Sequence, residues 1–144
     1  MAKRSRTKAK SVSRVAAAGP RILIAEDNED IGQTLQMLLE SLGYEVELCP
    51  DGEAAVRASL TFRPDIVILD IGMPRLSGYD AAHLIRKSHA RRTLLIVAIS
   101  GWARSEDVAL SKSAGIDVHL SKPLAFDALV AVLDDFRKRL PAGG

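Results

Sequence analysis

Six positions in this chain of 144 residues suit one kind of chemistry: the pair Glu26-Asp27, then Asp70, Gly72, Ser100 and Lys122. Three carboxylates brought together repel one another unless a cation joins them. A hard divalent ion with oxygen ligands answers that need. Mg²⁺ fits, because it binds through one or two carboxylates and completes its octahedron with phosphate and water. The backbone carbonyl of Gly72, two residues beyond Asp70, is in reach of the same ion. A hydroxyl and an ammonium aimed at that place are donors for phosphoryl oxygens. Together these groups describe phosphoryl transfer to a carboxylate nucleophile, with metal and lysine neutralising charge on the transferred group.

Such chemistry requires the side chains to converge, and the residues before each of them supply the means. Asp70 follows Ile66-Val67-Ile68-Leu69, four aliphatics of which three are β-branched. That run suits a strand buried on both faces at the centre of a parallel sheet. Such a strand has no solvated face for a charge, so Asp70 belongs at its carboxyl end, where open α/β sheets place their ligand crevice. Taken alone, Asp70 reads equally well as a residue that caps or turns the strand. The other strands decide. Ile22-Leu23-Ile24-Ala25 delivers Glu26 and Asp27, Leu94-Leu95-Ile96-Val97-Ala98-Ile99 delivers Ser100, and Val118-His119-Leu120 precedes Ser121-Lys122-Pro123. Ends of parallel strands share one edge, and the full set in this order makes Asp70 a nucleophile.

Between the strands lie helices. Asn28 is an N-cap, with Glu29 and Asp30 in the first turn. Ile31, Leu35, Leu38 and Leu42 are expected to form that helix's apolar face, and Gly43 ends it. Glu45-Val46-Glu47-Leu48 alternates as an edge strand should, and an Ala-rich helix follows Asp51-Gly52 to about residue 60. A third helix is expected over about 77–90 with Ala81, Leu84 and Ile85 inward, and a polar helix over about 104–114 stopping at Gly115. A last helix carries Leu124, Leu129, Leu133, Phe136 and Leu140. Five strands alternating with five helices predict an α/β fold with right-handed crossovers and helices on both faces of a parallel sheet. The order 2-1-3-4-5 puts strands one and three side by side at the topological switch point.

Composition agrees with one domain and a proper core. The chain is 47% hydrophobic but only 4% aromatic, so the interior is aliphatic. No apolar stretch reaches the ~20 residues of a membrane span, which predicts a cytoplasmic protein. The single Cys49 offers no disulfide or zinc cluster and reads as a buried structural thiol. The net charge of +2 hides an asymmetry. Residues 1–20 hold six cations and no acid, leaving 14 Lys+Arg against 18 Asp+Glu, a body at −4. The arm is expected to be disordered and solubilising; six cations support at most weak, salt-sensitive, sequence-independent DNA contact.

Over about residues 21–140 the chain resembles a response-regulator receiver domain of two-component and phosphorelay signalling. The resemblance rests on Glu26-Asp27, Leu69-Asp70-Ile71-Gly72-Met73-Pro74, Ser77-Gly78-Tyr79, Ser100-Gly101, Gly115-Ile116-Asp117 and Lys122-Pro123. It implies a flavodoxin-like three-layer sandwich in which Asp70 accepts a phosphoryl group from a histidine kinase or histidine phosphotransfer protein. Glu26, Asp27, Asp70 and the Gly72 carbonyl would hold Mg²⁺, Ser100 would bind the phosphoryl group, and Lys122 would pair with it. Output would pass by protein contact, through the face made by the helix over 104–114, the last strand and the last helix. A homodimer is left open, and no specific DNA binding or membrane span is expected. Residues 141–144 read as a flexible tail, and the chain as a single-domain regulator without an output module. His-Leu-Ser-Lys-Pro and Ser-Gly-Trp look most like receivers attached to hybrid sensor kinases. Two alternatives are weaker: a receiver-like scaffold that is never phosphorylated, and an aspartyl-phosphate hydrolase. The hydrolase would need an acid where Gly72 stands.

Two positions depart from the family's commonest pattern. His119 occupies the place of the switch aromatic, and reads either as the switch or as a satisfied strand residue. Trp102 either shields an acyl phosphate or covers loop surface. His83 and His89 read as surface residues, and Met37 and Met73 as core and loop packing. If His119 is the switch, its titration near neutral pH makes the response pH-sensitive. Dephosphorylation of His119→Phe compared with wild type between about pH 6 and 8 tests this; an unchanged pH profile sinks it.

Overall fold

The apolar runs do become strands, and their burial follows from their neighbours. In a computed structural model of the chain, the described residues are 19–73, 75–90, 93–101 and 113–140. The basic arm through residue 18, Trp102, nearly all of the helix expected over 104–114, and the 141–144 tail lie outside them. The elements in order are β1 (Arg21–Ala25), α1 (Glu29–Ser41), β2 (Glu45–Cys49), α2 (Gly52–Phe62) and β3 (Ile66–Asp70). They continue with α3 (Gly78–Ser88), β4 (Leu95–Ser100), β5 (Val118–Ser121) and α4 (Phe126–Arg139).

The sheet is parallel throughout, in the order β2-β1-β3-β4-β5. This is the expected 2-1-3-4-5 arrangement. Every residue of β3 and β4 is buried, while the edge strands β2 and β5 are partly open. Alternate side chains feed two cores. Leu23, Ala25, Val67, Leu69, Ile96 and Ala98 face α2 and α3. Ile22, Ile24, Ile66, Ile68, Val97 and Ile99 face α1 and α4. Three helices start on side-chain caps, of which the sequence announced Asn28. Asn28 Oδ1 accepts from Ile31 N at 3.0 Å, Asp51 Oδ1 from Ala54 N at 2.8 Å, and Ser77 Oγ from Asp80 N at 3.2 Å.

The phase of α1 differs from expectation. Its buried side is Gly32, Leu35 and Leu39, whereas Ile31, Leu38 and Leu42 are 52%, 41% and 45% exposed. The cause is Gly32. A Cβ there would lie 2.8 Å from Leu48 Cδ1, so the bare glycine seats that side of the helix against β2. A count of apolar side chains cannot register a contact made by a missing one. Met37 is likewise exposed rather than core. In α3 the buried side is Gly78, Ala81, Ala82 and Ile85, and Leu84 is exposed, again because small residues carry the close packing. His89 is buried, not on the surface: it caps the end of α3 and its Nε2 lies 3.3 Å from Ser59 Oγ of α2.

At the edge of the sheet opposite the strand carboxyl ends, Arg86 ties α3 to the approaches of β4 and β5. It donates to the carbonyls of Gly115 and Leu94 at 2.8 Å each and to Asp117 Oδ2 at 2.6 Å. The same Asp117 oxygen accepts from Ile96 N at 2.8 Å. At the other edge, the first turn of α3 sits on the end of β3. A Cβ on Gly78 would meet Asp70 O at 2.9 Å and Ile71 Cδ1 at 2.7 Å. Gly78→Ala is therefore expected to cost about 1–3 kcal/mol by overpacking, read from urea midpoints. Gly101→Ala, with no heavy atom within 4 Å of its Cβ, is the control and should stay within about 0.5 kcal/mol.

Candidate functional site

The βα turn after β1 is held rigidly. Glu26 N donates to Cys49 O at 3.0 Å, which extends the strand pairing one residue past Ala25. The Glu26 carboxylate accepts from Asn28 N at 3.0 Å, and Asn28 in turn caps α1. Glu26 and Asp27 are thereby fixed beside the end of β3. Asp70 is only 6% exposed. Its Oδ1 accepts from Gly72 N at 3.0 Å, and its Oδ2 pairs with Lys122 Nζ at 3.2 Å. Lys122 is placed by its backbone, whose N–H donates to Ser100 O at 2.7 Å. Ser100 Oγ lies 2.7 Å from His119 Nε2.

The carboxylates of Glu26, Asp27 and Asp70 each offer an oxygen within 4.8 Å of the others. The strain of that arrangement shows in Glu26. Its carboxyl is raised from 4.5 to about 7, first by burial and then by the neighbouring Asp70, against lowering by the Asn28 N–H and by Lys122. One lysine does not neutralise three carboxylates, so the donor set fits a divalent cation. Gly72 presents its N–H to Asp70, and a side chain there would make only ordinary contact, 3.7 Å from Asp70 Oδ1. The Cys49 thiol, pushed up to about 11 chiefly by burial, stays protonated and takes no part.

Glu26, Asp27, Asp70, Ser100 and Lys122 therefore lie along one edge of the sheet, and Trp102 is not among the described residues. The sequence reading missed Asn28's second task. Its role as a cap was legible, but the bond from its N–H to Glu26 was not.

The response regulator receiver domain family model matches residues 22–134. The chain belongs to the response-regulator receiver family. Receivers are phosphoacceptor signalling domains of two-component systems; they generally bind Mg²⁺ and interact with histidine kinases and downstream effectors. Among its relatives is the transcriptional regulatory protein RprY of Bacteroides fragilis, 31% identical over 83% of this chain and 50% of that protein. Another is the cell cycle response regulator CtrA of Brucella ovis, 32% identical over 77% of this chain and 47% of that one. The chain thus spans about half the length of the curated relatives it matches. Among solved structures, the Vibrio cholerae chemotaxis protein CheY4 superposes with a TM-score of 0.77 at 26% identity, over 83% of this chain and 99% of that one. The signal receiver domain of a Syntrophus aciditrophicus signal transduction histidine kinase gives 0.76 at 28%, over 85% and 92%. No helix among the described residues is long and apolar enough to cross a membrane.

The raised Glu26 carboxyl has a thermodynamic consequence. Between pH 4.5 and about 7 the folded receiver holds a proton that the unfolded chain releases. Stability therefore falls as pH rises through that window, and Glu26 adds no further change above it. In chelator-treated protein the urea midpoint is expected to fall less across the window in Glu26→Gln than in wild type. Equal falls would refute the assignment.

Proposed function

We propose that this receiver accepts a phosphoryl group on Asp70 from the phosphohistidine of a sensor kinase or histidine phosphotransfer protein, in a Mg²⁺-dependent step. The observation that carries the proposal is the convergence of Glu26, Asp27 and Lys122 on the nearly buried Asp70 at the carboxyl end of β3. An Asp70 carboxylate oxygen attacks phosphorus; a P–O bond forms as the P–N bond to the donor imidazole breaks, and the imidazole leaves with the bonding pair. Gly72 N–H and Lys122 orient the nucleophile through its two oxygens. Ser100 receives a phosphoryl oxygen, Lys122 turns to pair with the acyl phosphate, and His119 is the residue that responds. Glu26, Asp27, Asp70 and the Gly72 carbonyl would hold Mg²⁺, which when bound supplies positive charge against the transferred group.

The exposed row of Ile31, Leu38 and Leu42 begins three residues beyond Asn28, at the mouth of the site, and offers the donor protein an apolar contact there. Signalling then proceeds by protein contact or onward phosphotransfer. We place the output surface on β5, α4 and the segment over 104–114, and the phosphoaccepting unit over 21–140, with the 1–20 arm and 141–144 tail outside it. A place in a phosphorelay is supported by the likeness to a receiver from a histidine kinase, and we place the chain in the cytoplasm.

Incubation with acetyl phosphate and Mg²⁺ should add one phosphoryl group, seen by intact-protein mass spectrometry. The gain should vanish in Asp70→Asn and on chelation of Mg²⁺, and slow by tenfold or more, on the order of one lost electrostatic donor, in Lys122→Ala. No gain with acetyl phosphate or any phosphorylated kinase would leave a scaffold instead.

A further inference from the structure

The exposed side of α1 is apolar with acids at its margins and carries no cation. The charges of this helix are Glu29, Asp30 and Glu40, all exposed, and the exposed Asp27 precedes it. Ile31, Leu38 and Leu42 recur at i, i+7 and i+11, which aligns them along one side of the helix, and all three are exposed. The chain enters the fold at the foot of this row. Gly19 N donates to Gly43 O at 3.1 Å and Glu45 N to Pro20 O at 3.1 Å, so residues 19 and 20 are pinned next to Leu42. Across from that entry stands the last turn of α4, with Arg137, Lys138 and Arg139. A Cβ on Gly19 would lie 3.4 Å from Arg137 Nη2. The residues that lead to Gly19 carry Lys3, Arg4, Arg6, Lys8, Lys10 and Arg14 and no acid. Such a segment is repelled by the end of α4 and drawn toward α1. On the edge strand β2, Glu45 is already paired with Arg21 at 3.4 Å.

We propose that the basic arm docks back along α1, with Val12 and Val15 on the row of Ile31, Leu38 and Leu42 and the lysines before them meeting Asp30 and Asp27. The lengths agree. From Ile31 to Leu42 the helix rises about 16 Å. At about 3.3 Å per extended residue, Val15 reaches about 13 Å from Gly19 and Val12 about 23 Å, so the two valines bracket the row. Lys10 reaches about 30 Å, far enough to stand over Asp27 at the mouth of the site. Each exposed ion pair adds little. The tether makes up for that, since it holds the arm at an effective concentration on the order of millimolar. A contact of millimolar strength is then occupied about half the time and is still displaced by a better ligand. The same row is the one offered to a phosphodonor protein, so arm and donor compete for it. That competition rests on the reading that Asp70 takes a phosphoryl group; the docking of the arm does not.

The test uses the whole unphosphorylated chain with a nitroxide attached at Ser11→Cys; Cys49 is buried and does not compete for the label. In ¹⁵N spectra at low salt, the amides of α1 out to Ile31 should broaden severalfold more than those of α4 out to Leu129. The excess should shrink at about 1 M NaCl, where the screening length falls to about 3 Å. It should also shrink by about twofold or more, the worth of one or two exposed ion pairs, when Lys8→Gln, Lys10→Gln and Arg14→Gln are combined. Leu38→Ser, at an exposed position that spares the core, should weaken it as well. Equal broadening of α1 and α4 overturns the docking, as does an excess that either set of substitutions leaves unchanged. Broadening of α1 in a ¹⁵N-labelled copy without nitroxide, mixed with a spin-labelled copy, would assign the row to a second chain and overturn it too. Failure of Asp70 to take up a phosphoryl group would leave these spectra as they are and remove only the competition with a donor.

Discussion

Asp70 is a carboxylate that the sheet nearly buries, and it has two more carboxylates within reach and one ammonium to set against them. Burial of an unpaired charge is costly, and like charges at this range compound the cost. Much of the surrounding structure supports that arrangement. β3 and β4, buried on both faces, leave no exit for Asp70 except at the strand end. The pairing of Glu26 N with Cys49 O and the Asn28 bonds stop the acidic turn from swinging away into water. The bond from Lys122 N to Ser100 O fixes the compensating Lys122 cation by its backbone. A site held this tightly in an unfavourable charge state is poised for groups that relieve it. A divalent cation would relieve the repulsion, and an acyl phosphate on Asp70 would change the charge facing Lys122.

The sheet also determines how such a change travels. Neighbouring strands present alternate residues to opposite cores, so Asp70 and Ser100, one register position apart, look into different layers. A covalent event on one face can reach the other only through a residue at the strand end that is able to turn. Ser100 stands at such a strand end, and His119, 2.7 Å from its Oγ, stands on an edge strand that is only partly buried.

Features fixed by long apolar runs and by cap residues were legible in the sequence. The five strands, their order, the Asn28 cap and the strand-end positions of Glu26, Asp27, Asp70, Ser100 and Lys122 all follow from what stands next to what along the chain. Features fixed by absent or small side chains were not. Gly32 turns α1 so that Ile31, Leu38 and Leu42 face outward. Ala81 and Ala82 do the same for Leu84. The close packing of α2 and α3 buries His89 against Ser59, a pairing across 30 residues that no local pattern announces. Hydropathy weights volume, whereas the approach of two backbones depends on the lack of it.

The two edges of the sheet divide the labour between stability and response. At the edge remote from Asp70, Arg86 binds the carbonyls of Gly115 and Leu94 and the carboxylate of Asp117, which itself holds Ile96 N. Gly115 has φ of +86°, a conformation L side chains rarely adopt, and a Cβ there would press on Arg86 at 3.1 Å. This end of β4 and the approach to β5 are over-determined by several bonds at once. At the other edge, Ser100 Oγ and His119 Nε2 meet across β4 and β5 at 2.7 Å. The end of β4 and β5 remote from Asp70 is therefore the fixed point from which the edge carrying Asp70, Ser100 and Lys122 is held in place.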